Sequence, residues 1–395
     1  MARILIGFFC KDNAENVSPF LYGQYDKAFY LSFEGEEPDS RSKEVIETLV
    51  SGRFGAQAVF LTVKEKTLSC AYRLLYDLTG GDGEYVIDIT GGPGLFSAAA
   101  GIYTSANEKK NVRLSTFDIK TGVETVHYPE PGIIKRNRAL SVNELISLSG
   151  GAVISASKTM KELTDSGALR AEAVRMWDAV KSAAGDWNRF CSMTNMRQGN
   201  KVTKKLSRQD DKKTCERITG LLRKRGIIKN DRQYVSESGK TYVEYELCPK
   251  AKTVELYEKS GTALELFAFL AAAECGAFSD AETGVLLDLD GLITKKKGDP
   301  RNEIDLMAVY GSRLVLASCK CTKPTKEYLY EILTMAKQYG GKHAVPALIC
   351  SEPAFEPVRE RAKEMGVILI DNASNLSLKS LKEEFLKYFP AIIQQ

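Results

Sequence analysis

The stretch Asn302 to Lys320, NEIDLMAVYGSRLVLASCK, admits few folds. Two apolar-rich runs flank Gly311-Ser312, a pair suited to a tight primed turn, so the stretch reads as a β-hairpin. With a two-residue loop the register follows by counting: Tyr310 faces Arg313, Asp305 faces Ser318 and Glu303 faces Lys320. Strand side chains alternate between faces and directly paired residues share one, so these last four converge on a single patch. Two carboxylates beside a lysine can hold a hard cation while the amine meets a phosphate or a water. The same residues also suit a solvated hairpin with an ordinary Glu-Lys pair, and a one-residue bulge turns one strand's set to the opposite face.

Composition narrows the chemistry. Only His127 and His343 occur in 395 residues, which nearly excludes histidine-rich metal sites and histidine dyads. Catalysis then leans on carboxylates, lysine and a metal. The nine cysteines are odd in number and lack framework spacing, which implies reduced thiols and a cytoplasmic location. Cys319 and Cys321 form a C-x-C pair, weak evidence for zinc on its own. The run Ile4 to Phe9 is strand-length, too short for a leader's apolar core. The longest apolar stretch, Leu264 to Ala273, is too short for a membrane span and holds Glu265. The length accommodates two or three domains.

Strand-like runs recur in the first 150 residues: Arg3 to Phe9, Ala28 to Phe33, Ala58 to Val63, Tyr85 to Ile89 and Val112 to Phe117. Helix-compatible segments such as Ser40 to Ser51 and Lys66 to Leu78 separate them, which predicts a parallel sheet with helices on both faces. A hairpin around Ile119 to Gly122 closes it. The notable loop is DITGGPGLFSAAA, Asp88 to Ala100, where a strand ends in Thr90-Gly91-Gly92-Pro93-Gly94 and a helix of small residues begins. Backbone N–H groups at such a start can cradle an anion. As a dinucleotide fingerprint the loop fails twice: Ser97 stands where the third glycine belongs, and the loop opens the fourth βα unit, not the first. A tight turn needing positive φ explains the glycines equally well.

Val86 to Ala100 resembles the D-x-T-G-G-T-K signature of CARF domains, the CRISPR-associated sensors of cyclic oligoadenylates. Asp88, Thr90, Gly91 and Gly92 match, while Pro93-Gly94 replaces Thr-Lys. The resemblance implies a Rossmann-like fold, a homodimer and one ligand across its two-fold cleft. It assigns that ligand Thr90, Gly91, Gly92, Pro93 and Gly94, together with the first βα turn, Lys11, Asp12 and Asn13. Lys11 would stand in for the missing loop lysine.

Residues 151–261 read as a helical connector carrying Trp177 and Trp187 as core anchors. From Lys201 to Arg232 there are twelve Lys/Arg against four Asp/Glu. The amphipathic segment Cys215 to Arg225 and a hairpin from Tyr234 to Leu247 suggest a small winged-helix-like element. Its charge suits the nucleic-acid backbone, although a solvated helix face accounts for it too.

From Thr262 the pattern is helix, three strands, helix, strand, helix, strand, helix. The leading part of that order resembles the PD-(D/E)xK nuclease core, with an acid on the first helix, an aspartate on the second strand and (D/E)-x-K on the third. The matches are Glu265, Asp305 and Lys320; Ser318 replaces the usual acid, and Glu303 is its candidate substitute. The runs NEID…SCK and QYGGKHA resemble nuclease domains attached to CARF sensors. The combined resemblance identifies an α/β chain with a CARF domain at 1–150 and a nuclease domain at 262–395. It implies a manganese- or magnesium-dependent endonuclease for DNA or RNA, activated by cyclic tetra-adenylate in type III CRISPR antiviral defence. Glu265, Asp305 and the Cys319 carbonyl would hold the metal, with Lys320 orienting the water. Lys295, Lys296 and Lys297 would track the strand. Ser318 keeps open a second expectation, a CARF-regulated transcription factor on a degenerate nuclease scaffold.

Overall fold

Short β-branched and aromatic runs alternate with capped helices through the first 118 residues, and they assemble as a parallel sheet. The strands are β1 (Arg3–Phe8), β2 (Lys27–Phe33), β3 (Gln57–Val63), β4 (Glu84–Asp88) and β5 (Val112–Asp118). Then β6 (Val123–Tyr128) and β7 (Gly132–Lys135) fold back antiparallel, giving the order β3-β2-β1-β4-β5-β6-β7. The proline-containing segment after Tyr128 thus supplies an edge strand. Helix starts are fixed by side-chain caps: Asp12 accepts from the Ala14 amide and Asp39 from Ser42. In this computed structural model the described residues are 1–107, 111–135, 138–165, 167–248, 261–289, 291 and 301–390.

After the helix Val142–Leu148 the chain forms β8 (Ala152–Ser155) and β9 (Lys158–Thr159), both paired to a strand more than a hundred residues later. Two helices follow, Gly167–Val180 and Ala184–Ser192, and bury Trp177 and Trp187 completely. The basic region forms its own antiparallel sheet from β10 (Asn195–Gln198), β11 (Lys201–Leu206), β12 (Ile228–Val235) and β13 (Thr241–Leu247), in the order β10-β11-β13-β12. Its helix, Gln209–Lys224, buries Cys215, Ile218 and Leu222 against that sheet. The winged-helix-like reading therefore gains two strands that the sequence pattern did not announce.

The last sheet contains β14 (Asp280–Asp288), β15 (Arg301–Tyr310), β16 (Arg313–Lys320), β17 (Val345–Cys350) and β18 (Ile368–Ile370). Its order is β18-β17-β16-β15-β14-β8, antiparallel on the β8 side and parallel from β16 onward. The helix Thr262–Glu274 packs on one face and Lys326–Gly340 on the other. In the first of these, Leu264, Leu266, Phe267, Phe269 and Leu270 are buried. Each such side chain contributes about 1.5–3 kcal/mol, enough to fix the helix and with it Glu265. One apolar cluster joins Leu5, Tyr30 and Val86 of the first sheet to Val285, Leu316 and Leu348 of the last. Among the described residues no helix is long and apolar enough to cross a membrane.

Candidate active site and candidate activator loop

The hairpin pairs as counted near its turn, from Tyr310 with Arg313 to Leu306 with Ala317. There the regular ladder ends. Leu306, Ala308 and Tyr310 pack in the core shared with the helix Thr262–Glu274, while Met307 and Val309 pack in the opposite one. Strict alternation would send Ile304 with Leu306, yet it lies with Met307. The face switches at Asp305. On the neighbouring strand Gly284 takes φ +59°, a left-handed conformation open to glycine. Thr283 Oγ1 donates to the Asp305 carbonyl at 2.7 Å. The regular register assumed by counting therefore gives way to a local irregularity at Asp305, yet Glu303, Asp305 and Lys320 still line one cavity and Ser318 bonds to Asp305.

Asp305 Oδ2 accepts the Cys319 amide at 2.6 Å and the Ser318 hydroxyl at 3.2 Å. Ser318 thus tethers the aspartate. Burial raises the Asp305 pKa; the Cys319 amide, the Lys320 charge and the Ser318 hydroxyl pull it back, and Glu303 pushes it further up. Glu265 stands in the first turn of its helix, where the backbone dipole favours an anion. Its carboxylate curls over Gly261, at φ +87°, where any Cβ would collide with Oε1. The Gly261 amide is in turn held by Asn188 Oδ1 at 3.2 Å.

Glu265, Glu303, Asp305, Cys319 and Lys320 line one cavity of about 570 Å³ at the end of β16. Tyr328 closes one side, with Lys320 Nζ 5.5 Å from its ring centre. The Cys319 thiol is buried and its pKa lies well above the usual thiol range, through desolvation first and then Asp305 and Glu265. Burial also pushes Cys321 up to about 12. Both thiols stay protonated at neutral pH, so the hard oxygen donors, not sulfur, are what this cavity offers a cation. One Asp305 oxygen is tied down and the other bears no hydrogen bond among the described residues, a donor set that fits magnesium or manganese. Glu303 is exposed at the cavity's rim. Lys295 to Lys297 lie outside the described residues.

The glycine loop follows β4 as read from the sequence. Thr90 donates its amide and its hydroxyl to Asp88 Oδ1, at 2.8 and 2.5 Å, and its Oγ1 accepts the Phe117 amide at 2.6 Å. Its N–H therefore points into the loop and shapes it, while the Gly91, Gly92 and Gly94 amides bear no hydrogen bond among the described residues. Gly92 has φ +80°, and a Cβ there would stand 2.5 Å from that of Phe8. Pro93 and Gly94 lead into the helix Gly94–Asn107. Burial raises Asp88 to about 7 despite the two Thr90 hydrogen bonds.

The turn Lys11 to Asn13 lines a cavity of about 520 Å³ with Arg41, Ser149 and Lys342. Asn13 Nδ2 donates to the Leu148 carbonyl at 3.0 Å, and Asp12 caps its helix. Lys11 is exposed. What joins the two loops is Cys10 and Glu15: a Cβ on Gly91 would lie 3.0 Å from Cys10 Cβ and 3.2 Å from Glu15 Oε2.

Sequence reasoning missed what Glu15 does next. Its Oε1 pairs with Lys342 Nζ at 2.6 Å and with His343 Nε2 at 2.8 Å, and Asp12 stands 3.7 Å from the same imidazole. Burial would raise Glu15, but hydrogen bonds from His343, Lys342 and Cys10 outweigh it and hold the pKa at about 2. Among the described residues, Asp12, Glu15 and His343 also gather ligand atoms within 4.8 Å of one another. The Lys342 amine already answers their charge. Lys342 and His343 belong to QYGGKHA, so the clue was a charged pair behind a double glycine. It leads directly into β17, whose last residue pairs with Lys320.

No protein-family model matches the sequence, and no curated protein matches it. Solved structures that share its architecture include the following two. Protein VC1899 from Vibrio cholerae superposes with a TM-score of 0.72 at 13% identity, over 99% of this chain and 98% of that one. Can2 from Sulfobacillus thermosulfidooxidans, solved in complex with cyclic tetra-adenylate, gives 0.65 at 12% identity, over 98% of this chain and all of the other. At such identities the likeness is one of fold, and in fold this chain matches both proteins over nearly its whole length.

Proposed function

We propose that the chain is a phosphodiesterase acting on nucleic acid, switched by a cyclic oligoadenylate, with cyclic tetra-adenylate as the first candidate because the Can2 fold carries that ligand. The observation that supports this best is the meeting of Glu265, Asp305 and Lys320 in one cavity around the Cys319 backbone. Asp305 and Glu265 would hold a divalent cation with the Cys319 carbonyl. When bound, that cation would supply Lewis-acid stabilisation and a lowered water pKa. Ser318 and the Cys319 amide keep the Asp305 carboxylate oriented. Lys320 stands ready to neutralise charge on the phosphate oxygens or to orient the water. The Gly91 and Gly92 amides, with Lys11, would meet the activator's phosphates. Two protomers would face each other across that ligand as a homodimer.

The test is incubation of the purified protein with plasmid, single-stranded DNA and RNA, with manganese or magnesium, with and without cyclic tetra-adenylate. Cleavage that requires both additions and is lost in Asp305→Asn supports the reading. Ligand binding without cleavage under any of these conditions favours a ligand-regulated nucleic-acid-binding protein instead.

A further inference from the structure

The cations of the small antiparallel sheet fall into two kinds. Lys201 and Arg232 both pair with Glu244, Arg217 with Asp186, Arg223 with Asp231 and Lys229 with Glu246. These carry little charge outward. Lys205, Arg208, Lys212 and Lys240 have no ion pair among the described residues, and all four line one groove of about 500 Å³. The groove runs between the start of the helix Gln209–Lys224 and the β12–β13 turn, and no carboxylate lines it. Of the two acids in the first turn of that helix, Asp211 accepts the Ser207 and Arg208 amides and pairs with Arg189, and the exposed Asp210 stands 3.9 Å from the same guanidinium. Four cations held at one concavity repel each other, and an anionic polymer answers that better than a single small anion.

The groove also lies close to the candidate active site. The Lys205 amide donates to the Thr194 carbonyl, and Thr194 is three residues from Cys191 in the wall of that cavity. At ~3.6 Å per residue and ~5 Å between paired backbones, that is a path of roughly 16 Å, the reach of a few nucleotides.

We infer that this groove holds the phosphate backbone of the polynucleotide beside the scissile bond. The inference rests on the nuclease reading for its orientation, but not for its test. Binding of a fluorescein-labelled 30-nucleotide DNA strand is measured by anisotropy across a salt series in Asp305→Asn protein, which removes turnover. The Lys205→Glu/Lys240→Glu double variant should weaken binding at least tenfold and flatten the log–log salt slope by about 1.4, at ~0.7 per phosphate contact. Lys213→Glu/Lys224→Glu, an equal charge change on the same helix outside the groove, should leave the affinity within twofold and the slope unaltered. Equal binding by the groove variant, an equal loss in the control, or no binding by the parent protein overturns the groove. With Asp305 intact, hydrolysis of bis(p-nitrophenyl) phosphate should not change in the groove variant, while KM for the long strand rises. Groove-dependent binding with no cleavage of any substrate would sink the nuclease reading and leave the groove standing.

Discussion

Two clusters of carboxylates with a lysine sit at opposite ends of β16 and β17, and they are electrostatic opposites. Around Asp305 a half-buried acid keeps company with Glu265 and Glu303, and burial raises its pKa. Around Glu15 the acid is also partly buried, but Lys342 and His343 bond to it directly and hold it near 2. The first acid is kept where its charge is disfavoured, as titratable groups in functional clefts often are. The second is already satisfied, the state of a structural joint. Residue types alone do not separate them; the partners do.

The sharpest way to break this comparison is Asp305→Asn. Cleavage should fall by at least ~100-fold in a plasmid assay while Tm rises, because a costly buried charge is removed and the Cys319 amide keeps an acceptor. Unchanged cleavage would end the assignment of this cavity. The joint should behave in reverse. Glu15→Gln should lower Tm and cut the ratio of activated to unactivated cleavage, by something in the range of 5–150-fold. Activation as in the parent protein would show that the joint transmits nothing.

Next in size is Gly92→Ala. The left-handed backbone and the contact with Phe8 should cost about 1–3 kcal/mol in urea unfolding, read directly as a shifted midpoint. Smallest is a difference of sign with pH. The Asp305 carboxyl binds its proton more tightly when folded, so its contribution to stability is fully present below its unfolded pKa and is lost as pH rises through the folded value. Glu15 is depressed, so its contribution is present above its unfolded pKa of ~4.5 and is lost as pH falls toward about 2. Urea midpoints of the two Asn and Gln variants against the parent should therefore diverge in opposite directions between pH 3 and 8. Parallel curves would erase the distinction.

The sequence disclosed the parallel first sheet and the hairpin turn, because each is written in local periodicity or spacing, while the grouping of Glu265 with Asp305 and Lys320 came from the resemblance to the nuclease core. It did not disclose the face switch at Asp305, which depends on the left-handed Gly284 of a neighbouring strand. Nor could spacing show Glu15 against His343, 328 residues apart. Thr90 matched its signature yet turns its amide inward to Asp88, since a motif names residues without their hydrogen bonds. The four-residue strand β8 is too short to carry a pattern, so residues 152–155 read as connector.

That strand has a practical consequence for anyone dividing the protein. Ala152–Ser155 forms the outer border of the sheet that houses Asp305 and Lys320, although in the chain only a short helix separates it from the first sheet. Expressing residues 262–395 alone would leave the backbone of β14 bare along that border and ready to recruit strands from other molecules. The two large sheets are stitched rather than strung, and a chain cut between them will hold its second sheet intact only if the border strand travels with residues 262–395.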